Sequence, residues 1–136
     1  MIVVDSSALV AILDNERDAA IFALTLAEAD AALISAATLL ETAIVMLNRH
    51  GERSARLLNE LVQEAGLEVE SVTVHQVNLA REAYVAYGKG RSAAGLNFGD
   101  CFSYALAKAT GAPLLFKGDD FSRTDIEAAP KSEEGF

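Results

Sequence analysis

Four short apolar runs, with stretches of helical periodicity between them, leave this chain few folds to adopt. Ile2–Val4, Ala32–Ser35, Leu67–Val72 and Pro113–Phe116 are aliphatic and too short to be helices. The segments Ala8–Leu13, Arg17–Ala29, Ala36–Asn48, Glu52–Glu64, Val74–Tyr87 and Asn97–Thr110 carry apolar residues at helical spacing. Thr73 is a candidate cap for the fifth helix, while Gly51, Gly66 and Gly111 fall where helices stop. Strands alternating with helices predict an α/β domain, a three-layer α/β/α arrangement with a central, mostly parallel sheet. The chain from Lys117 is polar and expected to be irregular, a tail from about residue 127, fraying over Pro130–Phe136.

A chain of 136 residues that is 51% hydrophobic suits one domain over residues 1–136. Asp5 interrupts the apolar start and no basic stretch precedes it, which argues against a signal peptide. No uninterrupted apolar run approaches the about 18 residues of a membrane span. A single cysteine, Cys101, excludes an internal disulfide and a cysteine-rich zinc site. The expectation is a soluble, cytoplasmic protein with no membrane partner. Eleven Lys and Arg stand against 20 Asp and Glu, a net charge of −9, which disfavours nonspecific coating of nucleic acid. It suits a basic partner or divalent cations.

The positions of the acids matter more than their number. In an open parallel sheet, ligands bind beyond the carboxyl ends of the strands. Asp5 directly follows the first strand, and Asp119 and Asp120 follow the last. Glu41 sits inside the apolar run LLETAIV, and Asp100 opens an apolar helix. Each has an ordinary explanation taken alone. Asp5 could cap a helix, Asn97 and Asp100 have capping-box spacing, and Asp119-Asp120 could form a turn. Glu41 resists this, because a lone carboxylate on an apolar face is costly unless protonated or paired. Converging together, the acids would repel one another without a cation. An all-oxygen set without His or Cys selects Mg²⁺ or Mn²⁺, with one or two direct carboxylates and the others holding water from a second shell. Such a water is the expected nucleophile for a phosphodiester.

Other chemistries lack their residues. His50 ends a helix and His75 opens one, so both read as surface residues, and Cys101 reads as core. No phosphate-binding glycine motif occurs, and GKGRSAAG at Gly88–Gly95 is too loose to count as one. A haloacid-dehalogenase-like enzyme needs a second Asp where Ser7 stands. A receiver domain needs a phospho-accepting Asp after a central strand, where Ser35 and Thr73 supply none.

Four stretches, VVDSSAL, AATLLET, GLNFGDCFSYALAK and LLFKGDDFSRTDI, resemble the PIN-domain family, and within it the VapC ribonucleases of type II toxin–antitoxin pairs. The resemblance runs from Met1 to Ile126. It implies a Mg²⁺-dependent endoribonuclease, usually a homodimer, cutting RNA and silenced by a small VapB-like antitoxin whose basic segment sets an Arg near the acids. By position, Asp5 and Asp100 match the family's metal ligands and Glu41 its helix carboxylate. The fourth acid falls at Asp120, with Asp119 as the other candidate. Ser7 matches a hydroxyl beside the first acid, and Asn97 a polar position before Asp100. Lys89, Arg91, Lys117 and Arg123 flank these motifs as candidate RNA contacts. A structure-specific DNA nuclease of the same fold, or a catalytically silent binding module, is the alternative.

Overall fold

A computed structural model describes residues 1–132 of the protein. Four strands, β1 (Ile2–Val4), β2 (Ala32–Ser35), β3 (Leu67–Glu70) and β4 (Leu114–Leu115), form one sheet in the order β3-β2-β1-β4. Every adjacent pair is parallel, so the expected mostly parallel sheet is parallel throughout. Among the described residues the helices are α1 (Ser6–Leu13), α2 (Ala19–Glu28), α3 (Ala36–His50), α4 (Ser54–Glu64), α5 (Val74–Tyr87) and α6 (Phe98–Thr110).

Strand alternation builds two cores. Val3, Leu33 and Leu114 face Ala83 of α5 and Tyr104 and Leu106 of α6. Ile2, Val4, Ile34 and Leu115 face Leu9 of α1, Phe22 of α2 and Leu58 of α4. The result is the three-layer α/β/α arrangement. β2 and β3 continue from one side of β1 while β4 lies on its other side, so the order reverses between β1 and β4. Their carboxyl ends therefore flank the crevice where open sheets of this kind place ligands.

Several boundaries differ from expectation. α2 begins at Ala19 rather than Arg17 and α4 at Ser54 rather than Glu52, and neither Asp18 nor Arg53 supplies a side-chain cap. α3 runs on to His50, where Gly51 at φ 78° ends it. β3 stops at Glu70, and β4 shrinks to Leu114–Leu115.

The tail departs most. Phe121–Arg123 forms a 3-10 turn with Phe121 buried, and Ala128 bridges β4 at Leu114. Lys131 lies 5.1 Å from the Phe22 ring centroid. The Ser132 amide donates to Thr25 Oγ1 at 2.9 Å. Pro130–Ser132 is thus fastened to α2 rather than frayed, and residues 133–136 of that expectation lie outside the described residues.

Candidate active site

Asp5 ends β1 and is the N-cap of α1, accepting from the Ser7 amide at 3.1 Å. The capping role expected of an isolated Asp is real, and the side chain does more. It is 3% exposed, and Ser7 Oγ donates to its Oδ2 at 2.7 Å while Ser103 Oγ donates to Oδ1 at 2.5 Å. Ser103 and Thr38, both buried, lie 3.3 Å apart through their hydroxyls, joining α6 to α3 behind Asp5. Ser7 Oγ also accepts from the Lys117 amide at 2.9 Å, which ties the ends of β1 and β4 together across the crevice.

Glu41 reaches this place from the second turn of α3. Ser6 Oγ donates to its Oε1 at 3.0 Å. Burial, and then the charge of Asp5, push its carboxyl above the ordinary glutamate range. A Cβ at position 99 would overlap the Glu41 carboxylate, so the absence of a side chain at Gly99 lets that carboxylate lie against α6. Asp100 follows at once. It closes the capping box with Asn97, whose amide donates to Asp100 Oδ2 at 3.0 Å and whose Oδ1 accepts from the Asp100 amide at 2.9 Å. Burial pushes Asp100 up to about 7, and Asp5, Asp120 and Glu41 add to the shift. Asp120 is exposed and near enough to repel Asp100.

The structure therefore brings Asp5, Glu41, Asp100 and Asp120 to one edge, with Ser7 and Asn97 beside them. The candidate basic residues do not gather there. Arg91 donates to the Val85 carbonyl and Arg123 to the Ala93 carbonyl, both at the loop between α5 and α6. Lys89 is exposed in that same loop, its amide donating to the Leu96 carbonyl, and Lys117 adjoins the site, with its ammonium between Glu16 and Asp18. His50 and His75 are exposed and Cys101 is buried, as expected, while the pairing of His50 with Asp14 was not foreseen. Sequence reasoning missed Ser6, Thr38, Gly99 and Ser103. Only Gly99, a helix breaker within the first turn of α6, carried a signal that could have been read.

The donors are oxygen atoms only, which fits a hard divalent cation. Among the described residues no three His, Cys, Asp or Glu side chains close a cage around an ion. Asp5 and Asp100 are the carboxylates of this edge that could hold such an ion, with water completing its shell. Among those residues, too, none of Asp5, Glu41 and Asp100 pairs with a protein cation.

The PIN-domain family model matches residues 2–127, which takes in every acid of the site. The chain belongs to the PIN-domain family. VapC30, a ribonuclease of Mycobacterium tuberculosis, is 50% identical to this PIN domain over 124 residues, 91% of the chain and 95% of the relative. The VapC ribonuclease of Mycolicibacterium smegmatis is 50% identical over 126 residues, 93% and 98% of the two chains. The solved structure of Mycobacterium tuberculosis VapC20, described as a sarcin–ricin loop cleaving toxin, matches with a TM-score of 0.77. Its identity is 22%, over 95% of this chain and 98% of that one, so it supports the fold. No helix among the described residues of this PIN domain is long and apolar enough to cross a membrane.

Proposed function

We propose that this chain is a Mg²⁺-dependent endoribonuclease, with Mn²⁺ able to substitute, that acts in the cytoplasm as the toxin of a toxin–antitoxin pair. The observation that carries this is Asp100, buried, repelled by three other acids and answered by no protein cation among the described residues. A carboxylate in that state is stabilised by a metal ion, since its capping bond from the Asn97 amide offsets only part of the cost of burial. Close identity to named VapC ribonucleases supports RNA as the substrate.

When bound, the divalent cation supplies Lewis acidity toward a phosphodiester and a water attacking it. The chain does the rest. Asp5 and Asp100 are the proposed ligands. Ser7 and Ser103 hold Asp5 in one orientation, so little order is lost on binding. Glu41, raised by burial and turned by Ser6, holds a proton more readily than an exposed glutamate, which suits a group that relays one. Asp120 adds charge at the exposed rim. Neighbouring structures include a toxin–antitoxin complex from Klebsiella pneumoniae, matched at a TM-score of 0.67 and 16% identity over 92% and 93% of the two chains. A VapB-like antitoxin and a second copy of this chain are the proposed partners.

The test is cleavage of RNA by purified protein stripped with chelator, then supplied with Mg²⁺ or Mn²⁺. Activity should vanish on stripping and return with either ion. Undiminished cleavage by metal-free protein overturns the mechanism. Expression in a bacterial host should arrest growth, and co-expression of the cognate antitoxin should relieve the arrest.

A further inference from the structure

Three helical threonines, Thr25, Thr42 and Thr110, donate their hydroxyls to the carbonyl four residues earlier, each at 2.8 Å. Thr38 differs. It stands in the first turn of α3, four residues after Ile34 of β2, and its hydroxyl lies 3.3 Å from Ser103 Oγ of α6. The direction of this buried bond follows from its neighbour. Ser103 Oγ has one proton and donates it to Asp5 Oδ1 at 2.5 Å. A carboxylate that ligates a metal is ionised and can only accept. The Thr38 proton therefore points at Ser103, and the chain of donors runs from Thr38 through Ser103 to Asp5. The pair also ties two helices whose acids repel. Thr38 precedes Glu41 by three residues on α3, and Ser103 follows Asp100 by three on α6, so each hydroxyl shares a helix face with an acid of the site. Glu41 repels Asp100, and the neutral hydroxyl pair joins α3 to α6 one turn away.

We propose that Thr38 is a positioning residue of the metal site, acting through Ser103 to hold Asp5 in the orientation that receives a divalent cation. The inference rests on the metal-dependent function proposed above and extends it to a residue one hydrogen bond removed from the Asp5 carboxylate. A helical serine has an alternative acceptor in the carbonyl four residues back, which for Ser103 is that of Gly99. The Thr38 hydroxyl fills the accepting side of Ser103 Oγ and leaves its proton aimed at Asp5. Without that hydroxyl, Ser103 turns toward the Gly99 carbonyl for part of the time, and Asp5 loses the donor that fixes Oδ1.

Titration calorimetry with Mn²⁺ and with Mg²⁺, on the full-length protein free of RNA, reads the effect directly. Ser103→Ala should weaken binding of either ion by about 10- to 100-fold, as when the partner of a metal ligand is removed. Thr38→Val should weaken it by about two- to tenfold, the span of one net hydrogen bond. Thr38→Ser should bind as the parent does, because it keeps the hydroxyl and loses only a methyl. The double variant Thr38→Val/Ser103→Ala should bind no more weakly than Ser103→Ala, since the two residues act in series. If Thr38→Ser binds as poorly as Thr38→Val, the methyl packing matters rather than the hydroxyl, and the proposal is wrong. It is equally wrong if Thr38→Val binds like the parent or if the losses add in the double variant. Should Thr38→Val not fold, Thr38→Ala against Thr38→Ser makes the same comparison, one oxygen apart. A parent protein that binds neither ion overturns the metal-dependent function and the proposal with it. A parent that binds metal and cuts RNA, beside variants equal to it, leaves that function standing and removes Thr38 from the site.

Discussion

Carboxylates in two parts of this molecule meet opposite surroundings. Asp14 joins α1 to the end of α3, and hydrogen bonds from His50 and Arg49 hold its carboxyl below the usual range against a smaller opposing effect of burial. Asp125, in the segment after Arg123, is lowered in the same way by Lys108 and then by the Tyr104 hydroxyl at 2.6 Å. At the carboxyl edge of the sheet, Glu41 and Asp100 are raised, first by burial and then by other acids. The first pair is satisfied by the fold. The second meets no protein cation among the described residues, and a raised, unpaired acid in a crevice favours a functional reading over a structural one.

The largest test of that contrast crosses the two regions. Asp100→Asn removes charge from a repulsive cluster and keeps the capping geometry. Cleavage should fall by more than about 100-fold, beyond the range typical of residues that support metal ligands. The metal-free melting temperature should hold or rise, and its increase on adding Mg²⁺ should disappear. Asp125→Ala should do the reverse. It strands the buried Tyr104 hydroxyl at a cost of about 1–2 kcal/mol and should leave cleavage in place. Thermal melts beside an RNA cleavage assay read both. Should Asp100→Asn lower stability as Asp125→Ala does while cutting normally, the acid belongs to the fold and not to the site.

Gly99→Ala comes next. Within a helix the change favours folding by up to about 1 kcal/mol through propensity. Here the new methyl would overlap the Glu41 carboxylate and push it out of the cluster. Cleavage should drop by roughly 10- to 100-fold, as when support for a metal site is lost. Stability should change little, because the displaced acid is one that the cluster repels. Combining Gly99→Ala with Glu41→Ala should cost no more activity than the more damaging single change, since both act on one group. Additive losses would disconnect the glycine from Glu41.

A smaller effect appears in the pH dependence of metal-free stability. With Asp100 at about 7 rather than 3.8, the folded protein keeps a proton that the unfolded chain has lost. That stabilisation is present in full below the unfolded value and is lost as pH rises through the folded one. The melting temperature should therefore fall across the window from about 4 to 7, and Asp100→Asn should flatten the trend. Mg²⁺ should oppose it increasingly at higher pH, because the ion binds the deprotonated acids. Asp14 and Asp125 act with the opposite sign, since their folded values are lowered, and their contribution is lost only as pH falls below the ordinary carboxylate range.

Much of this contrast was readable before the structure. Strand Ala32–Ser35 and helix Val74–Tyr87 match their expected ends residue for residue, because Ser35 and Thr73 cap the helices that follow. The starts of α2 and α4, where Asp18 and Arg53 supply no side-chain cap, were misjudged, and so was that of α1, which begins at Ser6 rather than Ala8 although Asp5 caps it. The four acids were legible because each breaks a local rule or ends a strand. Their support was not. Ser103 lies 98 residues from Asp5 and Ser6 lies 35 from Glu41, and a serine in a helix gives no local sign of a distant partner. The tail misled for a similar reason: its polar residues bond to α2, more than 100 positions earlier in the chain.

The finest distinction is between neighbours that the sequence could not separate. Asp119 and Asp120 are both exposed, and both lead into the turn at Phe121. The Asp119 carbonyl receives the Ser122 hydroxyl at 2.6 Å, a bond made by the backbone and indifferent to the side chain. Asp120 instead repels Asp100. Asp119→Asn should thus leave folding within about 0.5 kcal/mol of the parent, as for most surface changes, and leave cleavage intact. Asp120→Asn should be equally gentle on folding and reduce cleavage several-fold. It should also relax part of the upward shift of Asp100, read as a gentler fall of metal-free melting temperature with pH. An Asp119→Asn protein that loses activity while Asp120→Asn keeps it would reassign the fourth acid and leave the other three in place. Their positions depend on β1, α3 and α6 and not on this turn.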